Sequence, residues 1–413
     1  MQLLELPLDI FRHIILAMVR DQGLRKSMAT RFVCHTFANE VLDAVISTRV
    51  IEEVADSDED LKRIEPHFDI IARYLHCRVR TDGPDTHSYI TTIRKTCALY
   101  VEQAVSLVDL EPTEIEGIQF DACLCLATQT SEVLRVLLKD AFDDRIDLGE
   151  ATLENNCLAI ASWIGDLSLV DSLHRGIDPL SFFGRPSWAA AAHGHLDVLQ
   201  YLLGQGALPY EPLFRSRGYL GLGQSAIAAA ASMGHGDVVR LYLQPPYLGP
   251  QVEDELYGAI HSASETDQPE TLRILLDHHK QTQTEHEYLS TIDCSLRLSC
   301  TRGAPKATRV LLEYGADPND TDKQPRSCLQ HAAKAGNTAT VKLLLDAGAY
   351  LDASRYVNKR TIPKLYSYCR KLGPEPLALA KKRNYLGVVQ VLEERQREID
   401  EERASFNASA VAT

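Results

Sequence analysis

The feature that most constrains this chain is a short pattern that recurs through residues 155–395. It consists of small residues, a glycine often followed by histidine, a Val/Leu-rich run, and often a closing Gly-Ala. The clearest copy spans residues 185–209. Pro186, Trp188, Ala190 and Ala191 precede Gly194 and His195 there, and Val198, Leu199, Leu202, Leu203, Gly206 and Ala207 follow. Further copies pivot on Gly165, Gly234, Gly303 and Gly336, while Asp267, Asn384 and Gln129 stand at the same place in weaker ones. The pivots at 129, 165, 194, 234, 267, 303, 336 and 384 are 36, 29, 40, 33, 36, 33 and 48 residues apart. These intervals scatter about a period of roughly 33 residues.

Each slot has a physical reason. A pivot between two antiparallel helices needs left-handed backbone, which glycine adopts without a Cβ penalty and which Asn or Asp tolerate best among the rest; Gln129 departs from this rule. Alanine runs at 189–192 and 228–231 predict a thin first helix that neighbours can approach closely. The Val/Leu run predicts a second helix with a buried stripe. Pro186 and Pro376 suit the first turn of a helix, and Gly176, Gly206, Gly315 and Gly348 suit its left-handed end. A chain of 413 residues is too long for one compact core, but stacked units let the core grow lengthwise.

These residues resemble the ankyrin-repeat family over about 155–395, with an eighth unit around Gln129 extending the resemblance to 115. The resemblance implies an all-α solenoid of helix-turn-helix repeats with β-turn loops, about seven units or eight with that one. The family's T-P-L-H box survives only in part, as Arg185-Pro-Ser-Trp188, Ser225-Ala-Ile-Ala228 and Ser327-Cys-Leu-Gln330. The resemblance further implies a scaffold that binds a protein target rather than an enzyme.

The N-terminus has its own pattern. Leu6, Pro7, Asp9, Ile10, Ile14, Leu16, Val33, Cys34 and Phe37 resemble the F-box, with Phe37 where a Trp is usual. That family implies a small helical domain docking on the Skp1 adaptor of cullin ubiquitin ligases, here through Leu6, Pro7, Ile10, Ile14, Val33, Cys34 and Phe37. Pro7 can start the helix, and Ile10, Ile14 and Leu16 are expected on its apolar side. The expected organisation is an F-box-like segment over 1–50 and an acidic connector with a helical cap over 51–114. Repeats over 115–395 follow, then a charged helix end and a disordered tail over 396–413.

The formal net charge of -14 disfavours broad adhesion to nucleic acid or to anionic membranes, which depends on Lys and Arg neutralising phosphate. Ten cysteines include no C-x-x-C pair and no zinc spacing, so they are expected to be free thiols. No stretch reaches the roughly 18 apolar residues of a transmembrane helix, and Glu5, Asp9, Arg12 and His13 interrupt the apolar N-terminus. Gly218-Tyr-Leu-Gly-Leu-Gly223 lacks the lysine of a phosphate loop and is expected to be a flexible insertion. Glu285-His286-Glu287 lacks a second histidine at 290. No catalytic motif, metal or cofactor site is therefore expected, and His195 and His235 belong to the repeat itself.

One segment reverses the acidic character. Residues 353–374 carry Arg355, Lys359, Arg360, Lys364, Arg370 and Lys371, with Tyr356, Tyr366 and Tyr368, and no acid. This insertion is a candidate partner-binding site. Two functions follow: a substrate receptor of a cullin-type ligase, or an ankyrin-type transcription co-regulator, as in fungal F-box/ankyrin proteins that this order of segments resembles. Both place the chain in the cytoplasm, the nucleus or both, with a protein target on the repeats and, in the first, a Skp1-like adaptor.

Overall fold

The computed structural model describes residues 7–30, 35–49, 51, 68–83, 88–105, 112–129, 150–174, 185–207, 225–320, 326–351 and 375–411. Among them every regular element is helical. The chain divides into two compact units, Met1–Gly223 and Gln224–Thr413.

In the first unit, α1 (Leu8–Thr30) and α2 (His35–Ser47) form an antiparallel pair. Phe11, Ile15 and Val19, at i, i+4 and i+8, meet Phe37, Val41 and Val45 between the two helices. Phe11 and Phe37 pack edge to face with ring centroids 5.9 Å apart, and Arg12 pairs with Glu40 at 3.0 Å. The helices α3 (Phe68–Thr81), α4 (Ser88–Val105) and α5 (Pro112–Gln129) pack on one another. Both α4 and α5 then meet α6 (Glu150–Ile164), which opens the first repeat.

Two repeat hairpins close this unit: α6 with α7 (Leu167–Leu173), and α8 (Pro186–His193) with α9 (Leu196–Gly204). The first helices α6 and α8 lie side by side, and their Trp163 and Trp188 rings stack at 6.1 Å. Burying Trp188 to 1% exposure removes an entire indole from water, which fixes the spacing of the two hairpins.

Among the described residues of the second unit there are five hairpins. They are α10 (Ala226–Met233) with α11 (Gly236–Tyr242), α12 (Pro250–Glu265) with α13 (Pro269–Thr282), α14 (Glu285–Arg302) with α15 (Pro305–Glu313), α16 (Cys328–Ala335) with α17 (Thr338–Asp346), and α18 (Pro376–Lys382) with α19 (Leu386–Val411). First helices pack in one row from α10 to α18 and second helices in another from α11 to α19. Each pivot returns the chain, so one layer of small residues faces one layer of Val and Leu.

Capping explains where the short helices begin. Ser225 accepts from the Ala228 N–H at 3.2 Å and Ser327 from the Gln330 N–H at 3.2 Å, with the Gln330 side chain accepting from the Ser327 N–H. Serine therefore serves as the cap where the family's box is incomplete. Arg185 makes no such bond, and Pro186 at the first turn starts that helix instead.

Three expectations are corrected. Ile10 and Ile14 do not share the interior face of α1 with the core: they are 51% and 40% exposed, and Phe11, Ile15 and Val19 occupy that face. Gln129 is not a pivot but the last residue of α5. The tail is not disordered from Ala404, since α19 runs to Val411; Ala404, Ala408 and Ala410 are strong helix formers, and no Gly or Pro interrupts them.

Candidate binding site

The five glycine pivots all have left-handed backbone, with φ of 86° at Gly165, 74° at Gly194, 86° at Gly234, 71° at Gly303 and 82° at Gly336. Asp267 and Asn384 adopt the same conformation at 60° and 58°. A second constraint acts on the glycines, because the residue after the next pivot lies where a side chain would go. A Cβ on Gly165 would sit 2.4 Å from His195 Nδ1, on Gly303 3.0 Å from Asn337 Cβ, and on Gly336 2.8 Å from the Tyr385 ring.

Those covering residues also stitch the hairpins together. His195 Nε2 donates to the Trp163 carbonyl at 3.0 Å, and Asn337 Nδ2 donates to the Gly303 carbonyl at 2.6 Å. Thr271 Oγ1 reaches the Ala231 carbonyl at 3.1 Å. In these three places a carbonyl near the end of a first helix accepts from a side chain of the next repeat.

Asp267 reverses the arrangement. The residue after its following pivot is Ala304, which is too small to fill the space, and the Asp267 side chain occupies it. Its Oδ1 accepts from the Ala307 N–H at 2.8 Å, at the start of α15. Asp267→Gly would relieve left-handed strain but delete a charge-assisted bond to a helix N-terminus. We expect a net loss of about 1 kcal/mol, since bonds to charged groups contribute roughly 1.5–3 kcal/mol and the relief about 1. Adding Ala304→Asn to Asp267→Gly, which restores a covering side chain over a glycine, should recover part of the loss in urea unfolding. No recovery would contradict this reading of the slot.

The remaining sites named from the sequence separate into two groups. Pro7, just before α1, and Ile10 and Ile14 on it are exposed, at i, i+3 and i+7, and so fall on one stripe that continues to the exposed Ala17. Phe37 is 6% exposed and belongs to the hairpin interior, so it is not available to a partner. Leu6, Val33 and Cys34 lie outside the described residues, as does the whole candidate insertion: Arg355, Tyr356, Lys359, Arg360, Lys364, Arg370 and Lys371. Gly218–Gly223 lies outside them as well.

Nothing in the thiols points to chemistry. Among the described residues no cysteine is in a disulfide, and burial pushes Cys97 and Cys157 up to about 12, which keeps them protonated and unreactive. No group of three His, Cys, Asp or Glu side chains among the described residues could hold a metal. No helix among them is long and apolar enough to cross a membrane.

The repeated geometry has a counterpart among known families. The model of the ankyrin repeats matches residues 186–286 and 296–403, half of the chain. The chain belongs to the ankyrin-repeat family. This ankyrin-repeat protein is also similar to two solved structures. The human ASB11 ankyrin repeat domain is 23% identical, with 58% of this chain and 96% of that one covered and a TM-score of 0.40. The ankyrin repeat domain of Bcl-3, a member of the IkappaB family, is 20% identical, with 56% and 97% covered and a TM-score of 0.37. Ankyrin repeats are protein–protein interaction modules, and that is the coarse function of this chain.

Proposed function

We propose that this ankyrin-repeat protein is a two-part binding protein, whose repeats hold a protein target while its N-terminal helical hairpin docks on a Skp1-type adaptor of a cullin ubiquitin ligase. The observation that carries this reading is the exposed stripe of Ile10 and Ile14 on α1, with Pro7 just before it. The hairpin already has a complete interior in Phe11, Ile15, Val19, Phe37, Val41 and Val45. The outer aliphatics are therefore not needed to hold α1 against α2. Large apolar groups on one exposed stripe are what a protein interface uses at its centre.

The test is binding of purified full-length protein to a purified Skp1-type adaptor. Ile10→Glu with Ile14→Glu is expected to weaken binding at least tenfold, because a buried interface cannot solvate two carboxylates. Melting should shift little, since exposed substitutions away from the core stay within about 0.5 kcal/mol. No adaptor binding by the unaltered chain would overturn the ligase part. The repeats would then remain a scaffold of the co-regulator kind, with α1 and α2 merely ending it.

A further inference from the structure

The pivots of the second unit change sign along the row. Within three residues of Gly234 and Asp267 stand Asp237, Glu265, Asp267 itself and Glu270, with no Lys or Arg. Within three residues of Gly303, Gly336 and Asn384 stand Arg302, Lys306, Lys334, Lys381, Lys382 and Arg383, with no Asp or Glu. In a chain of net charge -14 the reversal is abrupt. These last three pivots are neighbours in space. Asn337 Nδ2 donates to the Gly303 carbonyl at 2.6 Å, the Tyr385 ring lies against Gly336, and Arg383 Nη1 donates to the Lys334 carbonyl at 3.1 Å. All six cations are exposed, so they line one edge of the stack.

Helix stability accounts for only part of this edge. Arg302, Lys334, Lys381 and Lys382 stand at the ends of first helices, where the helix dipole favours a cation. Arg302 is also paired with Glu265 at 3.2 Å, and Lys381 with Glu393 at 2.8 Å. Lys306 is different: it is the second residue of α15, where the dipole disfavours a cation. The same position holds Asp237 in α11 and Glu270 in α13. Lys306, Lys334 and Lys382 make no ion pair among the described residues. An exposed lysine set against its own helix dipole, with no acid beside it, breaks a local rule of stability with nothing in the fold to offset it, which is the mark of a residue kept for binding.

We infer that this edge binds an extended acidic segment of the protein target held by the repeats. Packed helices stand about 8–10 Å apart, so three successive pivots span roughly 20 Å. An extended peptide advances about 3.3 Å per residue, so carboxylates three residues apart fall on successive pivots. A short segment with acids at i, i+3 and i+6 therefore matches the row at Lys306, Lys334 and Lys382. Complementary charge steers such a segment and fixes its register, while the acids around Asp267 and Gly234 repel any continuation past Gly303. A nucleic acid or an anionic membrane carries its charge well beyond this length and would run onto those acids. The inference rests on the repeats being a protein-binding module and is independent of adaptor docking.

The test uses full-length protein and fluorescein-labelled Gly-Asp-Ser-Ser-Asp-Ser-Ser-Asp-Gly, read by anisotropy at low salt. This peptide should bind saturably, the version with asparagine for aspartate about tenfold more weakly, and a version with its three aspartates adjacent about threefold more weakly. Lys306→Glu with Lys334→Gln and Lys382→Gln should weaken the peptide about tenfold with melting nearly unchanged. Lys280→Glu with Arg309→Gln and Lys342→Gln removes the same charge from exposed positions away from the pivots, and its effect should stay below about threefold. Lys306→Glu alone should weaken binding yet raise melting slightly, which separates binding from helix stability. Equal binding of the aspartate and asparagine peptides, equal binding of spaced and adjacent aspartates, no saturable binding, or equal effects of the two triple variants would each overturn the inference. So would tighter binding of oligothymidylate or of phosphatidylserine vesicles than of the peptide. Ile10→Glu with Ile14→Glu should leave peptide binding intact, so failure here and failure of adaptor docking read out separately.

Discussion

Gly165→Val is expected to lower the unfolding free energy by about 3–5 kcal/mol, as the sum of backbone strain, overpacking and a lost hydrogen bond. The backbone at Gly165 has φ of 86°, where a β-branched residue is a true outlier. The new Cβ would also fall 2.4 Å from His195 Nδ1 and 2.5 Å from its Cε1. That imidazole cannot simply swing aside: its Nε2 is bonded to the Trp163 carbonyl at 3.0 Å, and its ring stacks on His193 with centroids 6.0 Å apart. Gly206→Ala is the control, since φ there is 97° but nothing lies within 4 Å of the added carbon. It should cost only the strain, about 1 kcal/mol. Urea unfolding followed by circular dichroism distinguishes the two. If Gly165→Ala and Gly206→Ala lose the same stability, the close approach of His195 does not matter and the stitching account fails.

Acidification from pH 7 to pH 4 is expected to cost roughly 3 kcal/mol through His261 alone, at 1.36 kcal/mol per pKa unit. Burial, with a smaller contribution from Arg297, pushes His261 down to about 4 from 6.5. Its Nε2 is buried without a partner, so no hydrogen bond at that nitrogen offsets the cost of burying a charged imidazole. The sign follows from proton counts: between pH 6.5 and about 4 the unfolded chain binds the proton and the folded chain does not. Stability therefore falls with pH across that window. His279 and His76, also lowered by burial, act in the same direction. Glu265 and Asp293 are raised by burial and act oppositely, because their protonation favours the folded chain. His261→Phe keeps the ring volume and removes the titration. Its stability should vary with pH by nearly one proton less over the window, and an unchanged slope would show that His261 does not control it.

The sequence made the pivots readable because left-handed backbone is so strongly tied to residue type. Even Asp267 and Asn384 could be placed, since Asp and Asn are the non-glycine residues that tolerate that conformation best. The reason Asp267 can stand there was not readable. It depends on Ala304, a residue one repeat later that leaves room for the carboxylate, and such a pair is visible only once the hairpins are stacked. The N-terminal hairpin was misread for a different reason. On α1 both stripes are apolar, Phe11, Ile15 and Val19 on one and Ile10 and Ile14 on the other, so periodicity alone could not say which faces α2.

The length of α14 has a signal in the sequence. Thr284-Glu-His-Glu287 is a capping box, and it starts the helix well ahead of its pivot. The hydrogen bond between His279 and Thr291 had no such signal, because it forms across two helices. Likewise, the covering of Gly336 by Tyr385 joins residues 49 apart.

The central claim is that adaptor docking and target binding occupy separate surfaces of one chain. Quantitative affinity purification of full-length protein from cells tests it most directly, comparing the unaltered chain with Ile10→Glu, Ile14→Glu. The account predicts that the Skp1-type adaptor and its cullin fall at least tenfold while the other co-purifying proteins stay at the same level, because those exposed residues lie on α1 and not on the repeats. Adaptor recovered equally with both chains, or every partner lost together, would contradict it.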